Sequence, residues 1–349
     1  MQVHTTIPMA EWRTIADAAH AAEAAGFDAL ATSEIANDLF TPLAFAALAT
    51  ERVRLGTAIA VAFPRSPMVT AMQSWDLQTN SRGRFVLGLG TQVKAHNERR
   101  FSTPWTAPVA RMREYVEALR AIWACWENRT PLRYEGEHYR FTLMTPEFSP
   151  PPSGLPRVPV TIAAVGPDML RMAGRVCDGV RLHGFCTRRY LEEVAMPKVE
   201  EGLAKAGRPR DTFEVWGGGF VATGPDEGAA RRMMEWVRYR LAFYGSTPAY
   251  AGVLRLHGWD DLHHKLHRMS RAGEWKQMAA EVPDEVVHEF AVVCTFSELE
   301  AAVEKRFGGL SDAVAMQLPD DTPAGQLREI VQEVRRVPSR FRGFPDQKP

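Results

Sequence analysis

An α/β fold, a (β/α)8 TIM barrel with insertions at its C-terminal face, is what this chain predicts, and three observations carry the prediction. Short apolar runs alternate with helical stretches along the whole length, the pattern of βαβ units around a parallel sheet. Eight such units can be counted. The chain has 349 residues, 45% apolar and 24% charged. That is the composition of an ordinary globular protein, and the length accommodates one barrel of ~250 residues with additions. The expected organisation is one domain over residues 1–349, with insertions at about 128–159 and 244–289.

The first strand is Gln2 to Ile7. An alanine-rich helix, Glu11 to Ala25, follows, and Gly26 supplies its left-handed stop. Phe27 to Ser33 reads as strand two, Pro42 to Thr50 as a short helix, and Val53 to Val61 as strand three. That third run is apolar almost throughout, as a strand covered on both faces should be. Pro67 to Ser81 is helical and Arg84 to Leu89 is strand four. After the loop Gly90 to Ala107, Val109, Met112, Val116, Leu119, Trp123 and Trp126 recur three and four apart. They form one apolar stripe on a helix with Pro108 in its first turn. The stretch from Asn128 to Pro159 has no helical period and contains a hairpin-like run, LRYEGEHYRF.

Alternation then resumes. Val160 to Val165 is strand five and Pro167 to Val176 a helix; Gly179 to His183 is strand six and Arg189 to Ala206 its helix. Phe213 to Thr223 reads as strand seven, Asp226 to Phe243 as a helix, and Tyr244 to Glu289 as a second insertion of short helices. Phe296 to Arg306 is helical, Ala313 to Leu318 is strand eight, and Pro323 to Val337 closes the chain as a helix.

Lysine plus arginine and aspartate plus glutamate number 42 each, for a formal net charge of zero. No basic footprint marks nucleic acid or an acidic membrane face as a partner, so a small-molecule substrate is expected; a homo-oligomer is compatible with this balance. Cys125, Cys177, Cys186 and Cys294 are scattered, without CxxC spacing, and read as free thiols in a reducing compartment. The opening MQVHTTIPMAEW lacks a secretory pattern, and no apolar run reaches the ~20 residues of a membrane span. The expected location is the cytoplasm.

In a barrel of this class, chemistry sits where the strands end. That rule selects His4 and Thr5, Ser33 and Glu34, Ala58 to Ala62, Gly88 to Gln92, Ala163 to Gly166, His183 and Gly184, and Gly219 to Ala222. Small residues dominate, leaving space for a planar ring against the backbone. Gly88-Leu-Gly90 lacks the third glycine of a dinucleotide fingerprint and reads as a tight turn. Ala164-Val165-Gly166-Pro167 turns from strand to helix; its free N–H groups suit a phosphate, and it also reads as an ordinary connection. His263, His264 and His267 lie at helical spacing without a fitting carboxylate, so no metal is expected.

Five segments carry a resemblance: GFDALATSE (26–34), ERVRLGTAIAVAFPRSPM (51–68), GRFVLGLGTQVKAHNERRF (83–101), AAVGPDMLRMAGRVCDGV (163–180) and FAVVCTFSELEAAVEKRFGG (290–309). In this order they resemble the luciferase-like monooxygenase superfamily. LGTQVKAH and LAFYGSTPAY are similar to its branch that uses the deazaflavin coenzyme F420. The resemblance implies an F420-dependent oxidoreductase that transfers a hydride at the deazaflavin C5, with reduction of an activated C=C or C=N bond slightly favoured. An FMN-dependent monooxygenase and a non-catalytic flavin-binding barrel are the alternatives.

By that resemblance a non-prolyl cis peptide falls at Ala58–Ile59, and Gln92 and His96 meet the coenzyme. Ala164, Val165 and Gly166 hold its phosphate, and Lys94, Arg65, Arg99 and Arg100 face its acidic tail or water. Many relatives carry Asp-His after strand two; here Glu34 and Ile35 stand there, with Asn37 and Asp38 shaping the loop. Glu34 is therefore the expected proton or hydrogen-bond partner, with His183 and then His4 as the histidines that take over acid–base work near neutral pH. Trp105, Phe185, Trp216 and Tyr244 are expected around the substrate.

Overall fold

A closed ring of eight parallel strands organises the computed structural model, which describes residues 1–319 and 322–345. The strands are β1 (Gln2–Thr6), β2 (Ala29–Thr32), β3 (Arg54–Thr57), β4 (Phe85–Gly90), β5 (Val160–Ala164), β6 (Gly179–Leu182), β7 (Glu214–Gly217) and β8 (Ala313–Ala315). Each pairs with the next, and β8 returns to β1 with Ala313 opposite Gln2 and Ala315 opposite His4. The sequence-predicted barrel is the observed one. Helices Ile15–Ala25, Phe40–Ala49, Pro67–Asn80, Pro108–Asn128, Pro167–Val176, Met196–Lys205, Leu299–Phe307 and Ala324–Arg336 surround it.

The longest of these, Pro108–Asn128, buries Met112, Val116, Leu119, Trp123 and Trp126 against the barrel. That is the stripe its spacing predicts. At about 1.5–3 kcal/mol for each large apolar side chain buried, such stripes supply much of the force that holds helices to the sheet. The Trp123 indole N–H also donates to the Ala71 carbonyl at 3.2 Å, so its one polar atom is satisfied.

Four strands depart from expectation. Strand three is not continuous to Val61: the chain leaves the ladder at Ala58 and resumes at Ala60–Val61, beside Leu89 and Gly90 of β4. Strand seven does not run from Phe213 to Thr223. Gly217 and Gly218 take φ of +83° and +98°, and a Cβ on Gly217 would lie 2.6 Å from the Leu182 carbonyl. Only glycine makes this break. Phe220–Gly224 then pairs with Ala291–Thr295 in a separate two-stranded sheet, so Gly219 to Ala222 are not the end of a barrel strand. Strand one ends at Thr6, one residue short of Ile7, and His4 lies in its middle rather than at its end. Strand eight stops at Ala315, short of Leu318.

One device recurs at the start of three of the strands. Asp28, Asp178 and Asp312 each stand just before β2, β6 and β8, and each carboxylate accepts a backbone N–H from the strand preceding in sequence: Val3 at 2.8 Å, Val160 at 2.9 Å and Val215 at 2.8 Å. Arginines neutralise the two buried ones. Arg120, Arg157 and Arg208 lie 3.2, 3.3 and 3.5 Å from Asp178, and Arg210 lies 2.7 Å from Asp312.

The stretches 128–159 and 244–289 hold a hairpin and short helices. Tyr134–Glu135 pairs with Arg140–Phe141 as a hairpin, held to the long helix by Glu114, which accepts the N–H groups of Glu137 and His138. The second contains helices Ala251–Leu256, Asp260–Ala272 and Asp284–Phe290. His263 and His267 bond through Nδ1 to the Gly245 and Ser246 carbonyls at 2.7 and 2.9 Å. They cap the end of helix Glu227–Gly245. The four cysteines are free, and burial pushes the Cys177 and Cys186 thiols up to about 12. No helix among the described residues is long and apolar enough to cross a membrane.

Candidate active site

At the mouth of the barrel, the ends of β2, β3 and β4 are locked together around an irregular piece of backbone. The Ala58–Ile59 bond is cis. Ser33, just past β2, donates its hydroxyl to the Ala58 carbonyl at 2.8 Å, and the Ala58 N–H returns to the Thr32 carbonyl at 2.7 Å. The Ile59 side chain lies over Gly90, where a Cβ would come within 2.5 Å of it. Gly88 is tighter: a Cβ there would sit 2.0 Å from the Thr57 carbonyl oxygen. The Gly-Leu-Gly run is therefore a packing requirement of the bulge.

Glu34 closes the same corner. One of its oxygens accepts the Val61 N–H at 2.7 Å and the Arg65 guanidinium at 2.8 Å. Arg65 also donates to the Val61 carbonyl at 3.1 Å and sits over the Phe40 ring. Arg65 is thus committed to Glu34 rather than free to meet an acidic tail. Asp38 accepts the Thr41 N–H at 2.7 Å at the start of helix Phe40–Ala49, the loop-shaping role expected of it.

Beyond β4, Gln92 has φ of +58° and turns its amide oxygen onto the Val93 N–H at 3.0 Å. Buried Asn97 holds this loop by donating to the Thr91 and Val93 carbonyls. His96, on the short helix Lys94–Arg99, is exposed, as are Lys94, Arg99 and Arg100. Beyond β5, Val165 is fixed by a hydrogen bond from the Tyr190 hydroxyl to its carbonyl at 3.0 Å. Gly166 begins the helix Pro167–Val176 with no side-chain cap, and nothing lies within 4 Å of where its Cβ would be. Pro167 has no N–H, and the N–H groups that follow it receive no side-chain cap, the kind of helix start that suits an anion.

His183 follows β6. Its Nδ1 accepts the Phe185 N–H at 2.9 Å, so the neutral ring carries its proton on Nε2. Burial, then the Arg240 charge, pulls it from the usual histidine range to about 4. The imidazole is therefore neutral at pH 7, not the near-neutral titrating group expected from its residue type. Tyr244 meets it edge-on at 4.2 Å and Tyr250 at 4.9 Å between centroids; burial, then the neighbouring Tyr244, pushes the Tyr250 hydroxyl up to about 12.

His4 lies elsewhere. It is 2% exposed, in a polar layer deep inside the barrel with Arg54, Arg181, Glu214 and Trp216. Burial, then Arg54 and Arg181, holds it well below the ordinary histidine range. The cavity beside it is only about 10 Å³, too small for a substrate. Trp216 belongs to the same layer, stacked by Arg181 at 5.0 Å. Phe185 is core, packed on Phe290 at 4.5 Å, and Trp105 packs edge-on to Phe63 at 5.9 Å. The mouth thus brings together Glu34, Ala58, Ile59, Gln92, Ala164, Val165, Gly166, His183 and Tyr244, and leaves His4 and Trp216 below. Sequence reading missed Ser33 as the clamp on Ala58, and Arg181. A lone cation inside the apolar run GVRL was the one available sign of the latter.

Residues 1–313 match the family model for luciferase-like monooxygenase. The chain belongs to the luciferase-like monooxygenase family. It is an enzyme of that fold, as its organisation at the strand ends implies. Uncharacterized proteins of Mycobacterium bovis and Mycobacterium tuberculosis are 48% identical to it over 323 residues, covering 92% of this chain and 94% of theirs. A 5,10-methylenetetrahydromethanopterin reductase of Archaeoglobus fulgidus is 30% identical over 313 residues, covering 87% of this chain and 88% of that protein. Among solved structures, the coenzyme F420-dependent tetrahydromethanopterin reductase of Methanopyrus kandleri superposes with a TM-score of 0.78 at 21% identity, covering 96% of this chain and 98% of that one. This likeness confirms the barrel of the luciferase-like enzyme.

Proposed function

We propose that this luciferase-like enzyme is a coenzyme F420-dependent oxidoreductase that moves a hydride between the deazaflavin and a small organic substrate, with reduction of an activated C=C or C=N bond slightly favoured. The observation that carries the reading is the pairing, across one mouth, of a bulged stretch of backbone with an uncapped helix start. The bulge at Ala58 and Ile59, clamped by Ser33 and backed by Glu34, presents main chain where a flat ring can lie. Ala164, Val165 and Gly166 lead into N–H groups that suit a phosphate, with open space at Gly166. Asp168 does not oppose this strongly, because Arg171 pairs with it at 2.7 Å. The residues fit the coenzyme.

When bound, F420 supplies or accepts the hydride at C5. The protein's share is orientation and hydrogen bonding. Glu34, ion-paired with Arg65, positions the bulge. Gln92 and His96 would contact the coenzyme from the loop after β4. His183, neutral with Nε2–H available, donates a hydrogen bond to the oxygen or nitrogen of the substrate and polarises it. Its low basicity makes it a hydrogen-bond donor and not the proton source, so in the reductive direction the proton that follows the hydride comes from solvent; the methylenetetrahydromethanopterin reductase relative supports that direction.

Titration of the purified protein with F420 and with FMN, followed by oxygen uptake with each reduced form, tests the proposal. Binding of F420 without oxygen uptake is expected. FMN binding with oxygen consumption would make it a monooxygenase, and binding of neither would make it a non-catalytic barrel.

A further inference from the structure

We propose that Arg240 forms an anion subsite beside His183, and that the substrate accordingly carries a carboxylate or phosphate group on an unsaturated or aromatic frame. The proposal rests on the mouth being the substrate site, as argued above, and extends it to substrate class.

Helix Glu227–Gly245 buries Met234, Val237 and Leu241 on one side. Trp236, Arg240 and Tyr244 recur every four residues and so share another stripe of it. That stripe is fastened to the mouth at both ends. Tyr244 meets the His183 ring edge-on at 4.2 Å. Trp236 meets Phe220 edge-on at 6.2 Å, and Phe220 in turn fills the space beside Gly184, where a Cβ would lie 2.6 Å from its ring. Arg240 stands between these anchors with its guanidinium 5.0 Å over the Trp236 ring.

Among the described residues Arg240 has no ion pair and no hydrogen bond, although it is half-buried. Arg238, two residues earlier, is paired with Glu235 and Asp284. A cation partly removed from water, without a carboxylate, is costly unless something else meets it, and one aromatic face recovers only part of that cost. The hydroxyls of Tyr244 and Tyr250 also lack a hydrogen-bond partner among the described residues. The guanidinium donors of Arg240, one helical turn from Tyr244, and the phenols of Tyr244 and Tyr250 around the His183 ring together suit a planar acid. A neutral substrate would leave the guanidinium unmet.

Benzoate, phenyl phosphate and neutral benzamide, titrated by tryptophan fluorescence into protein saturated with F420, separate the cases. Benzoate or phenyl phosphate should bind at least about tenfold tighter than benzamide, and whichever of the two is tighter identifies the head group. Arg240→Gln should erase that preference, Arg240→Lys should keep part of it, and exposed Arg232→Gln should change nothing. Equal binding of all three probes, or anion binding that survives Arg240→Gln, would overturn the proposal. F420 affinity is measured on the same variants. If the wild type binds no F420, the titration is run on the coenzyme-free protein and still decides Arg240, so failure of the coenzyme reading and failure of the subsite are seen separately.

Discussion

Glu34 and Arg65 are joined at 2.8 Å across the end of the second strand, and the carboxylate oxygen that makes the pair also takes the Val61 N–H. The bulge at Ala58 thus depends on a charge two loops away in the chain. Glu34→Ala would leave the Val61 N–H and a mostly covered guanidinium without an acceptor, at a cost of about 2–3 kcal/mol. Glu34→Gln keeps an acceptor for Val61 and should cost about 1 kcal/mol. Urea unfolding measures both, and F420 titration should show weaker binding in the same order. Equal stability of all three proteins would mean that the pair holds nothing in place.

His183 gives a pH dependence with a definite sign. Its folded-state value of about 4 lies below that of an unfolded histidine, so between about pH 6.5 and 4 the unfolded chain binds more protons. Stability is therefore full above about pH 6.5 and is lost as pH falls toward 4. The loss from this residue is on the order of 2–3 kcal/mol, and His4 adds to it in the same direction. His183→Asn, whose amide oxygen can still accept the Phe185 N–H, should flatten part of this slope when unfolding is followed at pH 4.5 and 7. In steady-state rates, kcat/KM should show no histidine break near 6.5; such a break would mean the imidazole is far more solvated than its surroundings indicate.

Much of this architecture was legible because barrels write themselves in periodicity. Val53 to Thr57, Phe85 to Gly90 and Val160 to Ala164 are runs covered on both faces, and the stripe from Met112 to Trp126 has only one helical solution. The break of strand seven was hidden because Phe213 to Thr223 stays apolar across it; two left-handed glycines redirect the chain without altering hydropathy. The candidate site was partly legible for the same reason that strand ends are. Glu34, Ala58, Gly166 and His183 follow directly from where strands stop. His4 lies two residues before the end of its strand and so points into the barrel below the mouth, and the partner of Arg65 is a residue 31 positions earlier that only the fold brings near.

Two glycines should respond in opposite ways. At Gly88 a methyl group would press on the Thr57 carbonyl oxygen and on the buried Arg181, neither of which can yield. Gly88→Ala should lose about 3 kcal/mol or fail to fold, in the manner of an overpacked core. Gly166 has φ of −74° and no neighbour at its Cβ position, so Gly166→Ala should change stability by less than about 1 kcal/mol. Its effect should fall on ligand, with F420 binding weakened several-fold as the methyl group narrows the approach to the helix start. A Gly166→Ala protein that binds F420 as the wild type does would remove the phosphate from this helix.

The three strand-start aspartates allow an internally controlled series. Asp178 and Asp312 are 2% and 1% exposed, each accepting a strand N–H and facing arginine, whereas Asp28 makes the same strand bond from a half-buried position and pairs with Arg335 at 3.3 Å near solvent. Replacement by asparagine removes the charge in every case and leaves the arginines behind. For a buried pair that is worth about 3–5 kcal/mol, because the remaining cation is stranded; for a solvated pair it is about 0–1. Asp178→Asn and Asp312→Asn should therefore destabilise several-fold more than Asp28→Asn in urea unfolding. Asp178→Asn strands parts of three arginines at once, Arg120, Arg157 and Arg208, so a second substitution of one of them should restore some of the loss. Added salt should narrow the effect at Asp28 and leave the other two nearly unchanged, since screening reaches only the exposed pair. Equal costs at all three sites would show that the shared backbone bond, and not the buried charge, is what aspartate contributes at the start of these strands.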